Sequence, residues 1–301
     1  MELGMVGLGR MGANMAERLL RGGHKVTGFD PNAEARKALE GKGAASAESL
    51  QALVHALPAP RVVWLMVPAG KITDDTVNTL LPLLSPGDTV IDGGNSNYND
   101  TLRRAALYRD HQLDYVDCGT SGGVWGLAEG YSMMIGGDEA VVKRLQPIFE
   151  TLAPAKDAGW GRVGPAGAGH FTKMVHNGIE YGMMQAYAEG FSILEHKQEF
   201  GLDLAQIGQI WRQGSVVRSW LLDLTTDALT KNPKMEGIAP YVADSGEGRW
   251  TVDEAIQLNV PAPVITLSLI ARLRSRDTES FTDKLLASMR NEFGGHAIKK
   301  E

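Results

Sequence analysis

The sequence predicts an α/β protein: a doubly wound sheet with helices on both faces, followed by an all-α domain. Short apolar runs alternate with helical stretches from Leu3 to Leu152, the pattern of strands joined by crossover helices. Beyond Gly164-Pro165 only helical periodicity remains. A glycine-rich turn directly after the first apolar run marks a ligand-binding sheet edge. These observations place the first domain at residues 1–165 and the helical one at 166–301.

The first strand is Leu3 to Val6, and Gly7-Leu8-Gly9-Arg10-Met11-Gly12 follows at once. A helix runs from Ala13 to Arg21 and ends at Gly22-Gly23; a second strand, His24 to Phe29, closes on Asp30. The acid stands 18 positions beyond Gly12. Strand, G-x-G-x-x-G, helix, strand and acid together describe a Rossmann-type dinucleotide-binding unit. Gly7 makes the tight turn, Gly9 lets the backbone approach a pyrophosphate, and Gly12 allows the helix to pack against the strand. The phosphates would lie on the amides at the helix N-terminus, where the dipole is positive. Asp30 can accept hydrogen bonds from a ribose diol, and its charge repels a 2′-phosphate, which favours NAD over NADP. Arg36 and Lys37, further along, could swing back towards that position, so NADP stays possible.

The alternation continues through helices at Ala33 to Leu39, Ala47 to Leu53, Asp74 to Leu84 and Asp100 to Tyr108. Strands are expected at Arg61 to Met66, Thr89 to Ile91, Tyr115 to Cys118 and Met133 to Gly137, with a last helix at Val141 to Leu152. This spacing implies a parallel sheet. Three loops follow strands and so fall at the sheet edge where ligands bind. Val67-Pro68-Ala69-Gly70 reads either as a cofactor contact or as a plain turn. Asp92-Gly93-Gly94-Asn95-Ser96 reads either as a ligand loop or as a tight turn with Asn95 capping the next helix. Gly119 to Gly126 holds four glycines in eight residues and suggests a second ligand loop.

In the second half, helices are expected at Phe171 to Glu199, Leu204 to Gln213, Ser219 to Thr230, Thr251 to Asn259, Pro261 to Arg274 and Ser280 to Phe293. Along the first of these, Lys173, His176, Asn177, Glu180 and Tyr181 fall at steps 0, +3, +4, +7 and +8, one face of a helix. Such a polar column is either a solvated face or the lining of a site. Its position just after a dinucleotide-binding domain favours the site, in the cleft where substrates usually lie. Met183, Met184, Tyr187, Phe191 and Leu194 continue the helix as a stripe expected to be core.

Composition narrows the field. With 43% hydrophobic and 22% charged residues the chain is of ordinary globular type. The net charge of -6 argues against nucleic-acid binding. One cysteine, Cys118, excludes a disulfide framework and reads as a small buried residue. No His, Asp and Glu cluster suggests a metal, no apolar run suits a membrane span, and no signal peptide is apparent, so a cytoplasmic protein is expected.

Three stretches resemble the 6-phosphogluconate dehydrogenases, within the wider β-hydroxyacid dehydrogenase superfamily. They are Asp92 to Arg104, reading DGGNSNYNDTLRR, then Gly119 to Gly137, and Gly167 to Tyr181. The length is similar to a short branch that lacks a duplicated helical half. The resemblance implies Lys173 as catalytic base and Glu180 as acid. It implies that Asn95, Ser121, Gly122, Gly123, His176, Asn177 and Tyr181 hold the sugar acid, and that Asn95 also meets the cofactor beside Leu8, Arg10, Met11, Val67, Pro68 and Ala69. Gly246-Glu247-Gly248-Arg249-Trp250 matches the family's glycine-lysine-tryptophan stretch, and Arg272 falls where a phosphate-binding arginine is expected. The tail from Arg290 to His296 resembles one that reaches a neighbouring subunit's site, Arg290 touching phosphate and His296 sugar, which implies a homo-oligomer. Two departures stand out. Ser245 replaces the usual phosphate-side lysine, and Asp30-Pro31-Asn32 stands where NADP-using members have Asn-Arg-Thr.

The reaction so implied oxidises C3 of 6-phosphogluconate and releases carbon dioxide, leaving ribulose 5-phosphate and NADH. An unperturbed lysine titrates at about 10.4, so the site would have to favour the neutral amine by desolvation or a nearby cation such as His176 or Arg272. Glu180 lies two turns away, about 10 Å along the helix, leaving room for substrate between the two side chains. A related dehydrogenase acting on a small unphosphorylated hydroxy acid, such as 3-hydroxyisobutyrate, would keep the dinucleotide site and Lys173 while needing neither Arg272 nor Glu180 as acid. A non-catalytic NAD-binding sensor would keep its function when Lys173 is replaced.

Overall fold

A computed structural model describes residues 1–300 of the chain. Two compact units divide it at residue 176. In order, the first carries β1 (Glu2–Val6), α1 (Arg10–Arg21), β2 (Lys25–Phe29), α2 (Ala33–Glu40), β3 (Ala45–Ser46), α3 (Leu50–Ala56), β4 (Val62–Leu65), α4 (Lys71–Leu80), β5 (Thr89–Asp92), α5 (Tyr98–Asp110), β6 (Asp114–Ser121), α6 (Gly126–Glu129), β7 (Ser132–Gly136), α7 (Glu139–Leu152) and β8 (Trp160–Gly164). The long helix α8 (Ala168–His196) begins in this unit and continues into the second.

The strands form one sheet in the order β3-β2-β1-β4-β5-β6-β7-β8. The first six are parallel and reproduce the 3-2-1-4-5-6 order of a doubly wound dinucleotide-binding sheet. The expected parallel sheet is corrected at one edge, where β7 runs antiparallel to β6. Residues 122–131 between these strands are too few for a parallel crossover, which takes a dozen or more. The α7 crossover then lets β8 lie parallel to β7. Two strands escaped the sequence reading. β3 is only two residues long, and β8, with Gly161, Arg162 and Gly164, lacks an apolar run.

Both faces of the sheet are covered. Along β4, Val62 and Trp64 enter one core while Val63 and Leu65 enter the other. The same alternation places Leu3 and Met5 on one side of β1 and Val6 on the opposite side. A strand buried on both faces reads as a continuous apolar run, which is why these strands were recognisable. Cys118 lies wholly inside the first core, and burial pushes its thiol up to about 12.

The unit boundary falls eleven residues beyond the 165/166 seam expected from the sequence. The first turns of α8 are fastened to the sheet: Gly167 N and His170 N donate to the two carboxylate oxygens of Asp117 at 2.7 and 2.8 Å. Asp117, on β6 and fully buried, supplies a negative charge at a helix N-terminus.

The second unit is all helical, as expected: the rest of α8, then α9 (Leu204–Trp211), α10 (Trp220–Lys231), α11 (Glu247–Gln257), α12 (Pro263–Arg274) and α13 (Phe281–Gly294). Its small core joins Phe191 of α8 to Leu222 and Leu229 of α10, with Tyr187, Leu194 and Trp211 packed around them. Close approaches occur at Gly178 against Thr251 and Gly208 against Thr226. Among the described residues, no helix is long and apolar enough to cross a membrane.

Candidate active site

The glycine loop has the geometry its spacing requires. Gly7 sits at φ +89°, and a Cβ there would strike the Met66 carbonyl. A Cβ on Gly12 would overlap the Gly7 carbonyl, so only glycine lets α1 start so close to β1. Gly9 caps α1 with no heavy atom within 4 Å of where its Cβ would stand, which leaves open space beside the helix N-terminus. An open cradle of helix amides suits a pyrophosphate, so the residues present fit a dinucleotide. Asp30 closes the far side. Its Oδ2 accepts from Leu8 N at 2.8 Å and its Oδ1 from Asn32 N at 2.8 Å. The carboxylate is therefore aimed by two amides and keeps acceptor capacity for a diol, since its oxygens offer about four lone-pair sites. Arg36 does swing back, donating through Nη1 to the Asp30 carbonyl at 2.7 Å.

The next two edge loops are tied together. Pro68 O accepts from Thr73 Oγ1 at 2.9 Å, and a Cβ on Gly94 would press on the Val67 carbonyl. Beneath them lies Arg104, fully buried, which donates to Asp92 Oδ2 (3.3 Å), Ser96 Oγ (3.1 Å), Asp74 Oδ1 (2.9 Å) and Gly70 O (3.4 Å). Asp92 also accepts from Gly94 N, Ser96 Oγ and Tyr115 OH. This network braces both the Val67–Gly70 and Asp92–Ser96 loops. Sequence reasoning gave Arg104 no role, because an arginine on a polar helix reads as a surface charge. Asn95 is exposed at the loop tip and does not cap α5; Asn97 does, accepting from Asn99 N at 2.9 Å.

Ser121 ends β6, and Gly122 and Gly123 follow with φ of +131° and +51°, conformations that exclude most side chains. Earlier on the same strand, a Cβ on Gly119 would collide with Lys173 Cβ and the Gly169 carbonyl, so the lysine stem lies flat on β6. Lys173 is 7% exposed, and its Nζ stands 3.2 Å from His176 Nδ1. With the amine donating, the imidazole accepts at Nδ1 and carries its proton on Nε2.

In the second unit, Asn177 and Tyr181 are buried and Glu180 is half-buried on α8. Arg272 stacks on the Tyr181 ring, its guanidinium carbon 3.6 Å from the centroid, and donates to Ala243 O at 2.9 Å. Tyr181 OH accepts from Ser245 N at 3.4 Å, and Ser245 Oγ donates to the buried Glu247 carboxylate. Asp244 holds Arg249 and Arg276, and the Arg249 guanidinium above all brings its carboxyl down to about 2. The structure thus gathers Tyr181, Arg272 and Ser245, with Glu180 and Asn177 along the same helix. Arg290 and His296 are exposed on α13 and the tail, with the His296 ring over Gly294.

The polar column is therefore not a solvated face. All five of its residues are buried or half-buried, whereas Ile179, Met183 and Met184 are 52%, 38% and 41% exposed. The expectation that Met183 and Met184 are core is corrected, while Phe191 keeps its core place.

Residues 2–161 match the family model described as the NAD binding domain of 6-phosphogluconate dehydrogenase, and residues 169–291 match that of its C-terminal domain. The chain belongs to the 6-phosphogluconate dehydrogenase family. The two family models leave residues 162–168 between them, and the first packing unit extends further, to residue 176 in α8. A relative from Haloferax volcanii named NAD(+)-dependent, decarboxylating 6-phosphogluconate dehydrogenase is 42% identical, over 100% of this chain and 99% of its own length. Plasmodium falciparum 6-phosphogluconate dehydrogenase is similar in structure, with TM-score 0.84 and 28% identity, covering 100% of this chain; this chain spans 66% of that one. Mycobacterium tuberculosis 3-hydroxyisobutyrate dehydrogenase is also similar, with TM-score 0.74 and 26% identity over 92% of this chain and 94% of that one. Members of this family are dehydrogenases by name, which agrees with an open dinucleotide cradle and a buried lysine. Among the described residues, no group of three or more His, Cys, Asp or Glu could hold a metal.

Proposed function

We propose that the chain catalyses NAD-dependent oxidative decarboxylation of 6-phosphogluconate to ribulose 5-phosphate and carbon dioxide. The observation that carries this reading is the inward face of α8, with Lys173 buried against β6 and hydrogen-bonded to His176. When bound, NAD supplies the hydride acceptor; Gly7 to Gly12, Asp30, Val67 to Ala69 and Asn95 would hold it. Lys173 takes the proton of the C3 hydroxyl. Once protonated, it donates to the C3 carbonyl oxygen and stabilises the negative charge that grows there as carbon dioxide departs. Glu180 delivers a proton to the carbon that lost carbon dioxide, which becomes C1 of the product. Ser121, Gly122, Gly123, Asn95, His176, Asn177 and Tyr181 orient the sugar acid, and Arg272 takes its phosphate. We also read the protein as a homo-oligomer whose tail brings Arg290 and His296 to a neighbour. The exposed apolar side chains of the second unit support that reading.

A second reading has a specific observation in its favour. Ser245 stands where a phosphate-side lysine is expected, and Arg272 is already stacked on Tyr181. A small unphosphorylated hydroxy acid, as in the Mycobacterium tuberculosis relative's name, would need no phosphate site. Incubation with 6-phosphogluconate and NAD separates the two, following reduced-cofactor absorbance together with evolved carbon dioxide. Equal amounts of both are expected, and absorbance without carbon dioxide would sink the decarboxylase. Lys173→Met should fold and bind NAD yet lose turnover; normal NADH production by it would remove Lys173 from the mechanism.

A further inference from the structure

The segment from Ser121 to Gly130 is tied locally by the Ser121–Ser132 strand pairing and two turn bonds, Trp125 N to Gly122 O and Gly130 N to Gly126 O, but its backbone is glycine-rich. Gly122, Gly123 and Gly130 take φ of +131°, +51° and +87°, and glycine backbone loses the most freedom on ordering. Its only α-helical turn, α6, has four residues, too short to be stable alone. A further anchor for it comes from far away in sequence. Arg18, near the C-terminal end of α1, donates through Nη1 to Leu127 O at 3.2 Å and Ala128 O at 3.5 Å, both on α6. Its Nη2 donates to Ala153 O at 2.6 Å and its Nε to Thr151 O at 3.0 Å, at the end of α7. Carbonyls at a helix C-terminus lack partners within the helix and carry the negative end of its dipole. One planar cation thus serves two helix ends, with a fork that a point-charge ammonium cannot match.

We infer that Arg18 is a positioning residue: it fixes the Ser121–Gly130 segment in the conformation that presents Ser121 and the Gly122 and Gly123 amides to substrate. The substrate part of this inference rests on the functional reading above, in which those residues hold the sugar acid. Arg18 ties the substrate segment to α1, the same helix whose N-terminus faces the open cofactor cradle. The two jobs are separated by the eight residues from Arg10 to Arg18, about 12 Å at 1.5 Å per residue, so loss of the clamp spares the cradle.

The test compares the full-length parent with Arg18→Met and Arg18→Lys, by backbone hydrogen exchange and by steady-state kinetics. In Arg18→Met, exchange in residues 122–130 should rise about tenfold while residues 7–12 stay near the parent. KM for 6-phosphogluconate should rise about tenfold, with KM for NAD changed less than about twofold. Arg18→Lys should fall between the two, because one ammonium reaches one helix end only. Unchanged exchange in 122–130 overturns the clamp, and so does an equal rise over the whole chain, which would mark general loosening. Faster exchange with unchanged KM for the sugar acid overturns the positioning role. If Arg18→Met does not fold, Arg18→Lys is judged on the same readouts. A parent that does not turn over 6-phosphogluconate defeats the functional reading, and the exchange comparison still decides whether Arg18 holds the segment.

Discussion

Asp30, Arg104 and Asp244 show how single charges set the chemistry around them. Asp30 is aimed by the Leu8 and Asn32 amides, and in the proposed NAD reading its charge stands against a 2′-phosphate. Asp30→Ala should shift the ratio of kcat/KM for NAD and NADP towards NADP, helped by Arg36 held at the same turn. An unchanged ratio would refute the electrostatic argument. Arg104 is the counter-charge of the fully buried Asp92. Arg104→Met leaves that carboxylate uncompensated, and denaturant unfolding should show a loss of about 3–5 kcal/mol. Asp244 contributes through a depressed carboxyl, from 3.8 to about 2, caused first by Arg249 and then by Arg276. Its stabilisation is complete above about pH 4 and fades as pH falls to about 2. Thermal melts should therefore separate the parent from Asp244→Asn at pH 7 and bring the curves together near pH 2.

The long helix α8 is the element on which the proposed chemistry turns. Its amphipathicity was legible as a period of 3.6, but the period leaves open which side faces the protein. Burial resolves it: the polar column turns inward, and Ile179, Met183 and Met184 turn outward. The reason is tertiary contact with β6, since Asp117 caps the helix start and Gly119 admits the Lys173 stem against the strand. Gly119→Val should displace that stem and cut kcat by more than tenfold with KM for NAD little changed; normal kcat would mean that the close approach does not set the lysine. The Asn95 loop teaches the same lesson. Asn-rich DGGNSN offers two cap candidates two residues apart, and propensity alone cannot choose between Asn95 and Asn97.

For the whole molecule, the second unit leaves much apolar surface uncovered. Val216, Phe281 and Ile193 are 99%, 75% and 72% exposed, joined by Ile256, Val264 and Leu267 on α11 and α12. Large apolar side chains exposed in such number point to an interaction face. Sedimentation should give a mass at least twice the 32.5 kDa of one chain. A monomer at micromolar concentration would defeat the oligomeric reading and, with it, any role for Arg290 and His296 in a neighbour's site.

By itself the sequence determined the alternation of strands and helices, the glycine turn with its acid, and the two-part division, because these follow from period, glycine sterics and burial on both sheet faces. It also placed Lys173 and Glu180 on one side of one helix. Tertiary structure alone decided that this side faces inward and that Arg18, Arg104 and Asp117 brace the loops. Those outcomes depend on partners separated by tens to more than a hundred positions, and no local pattern encodes such meetings. A buried arginine or aspartate reads in sequence like any surface charge until the chain that surrounds it is in place.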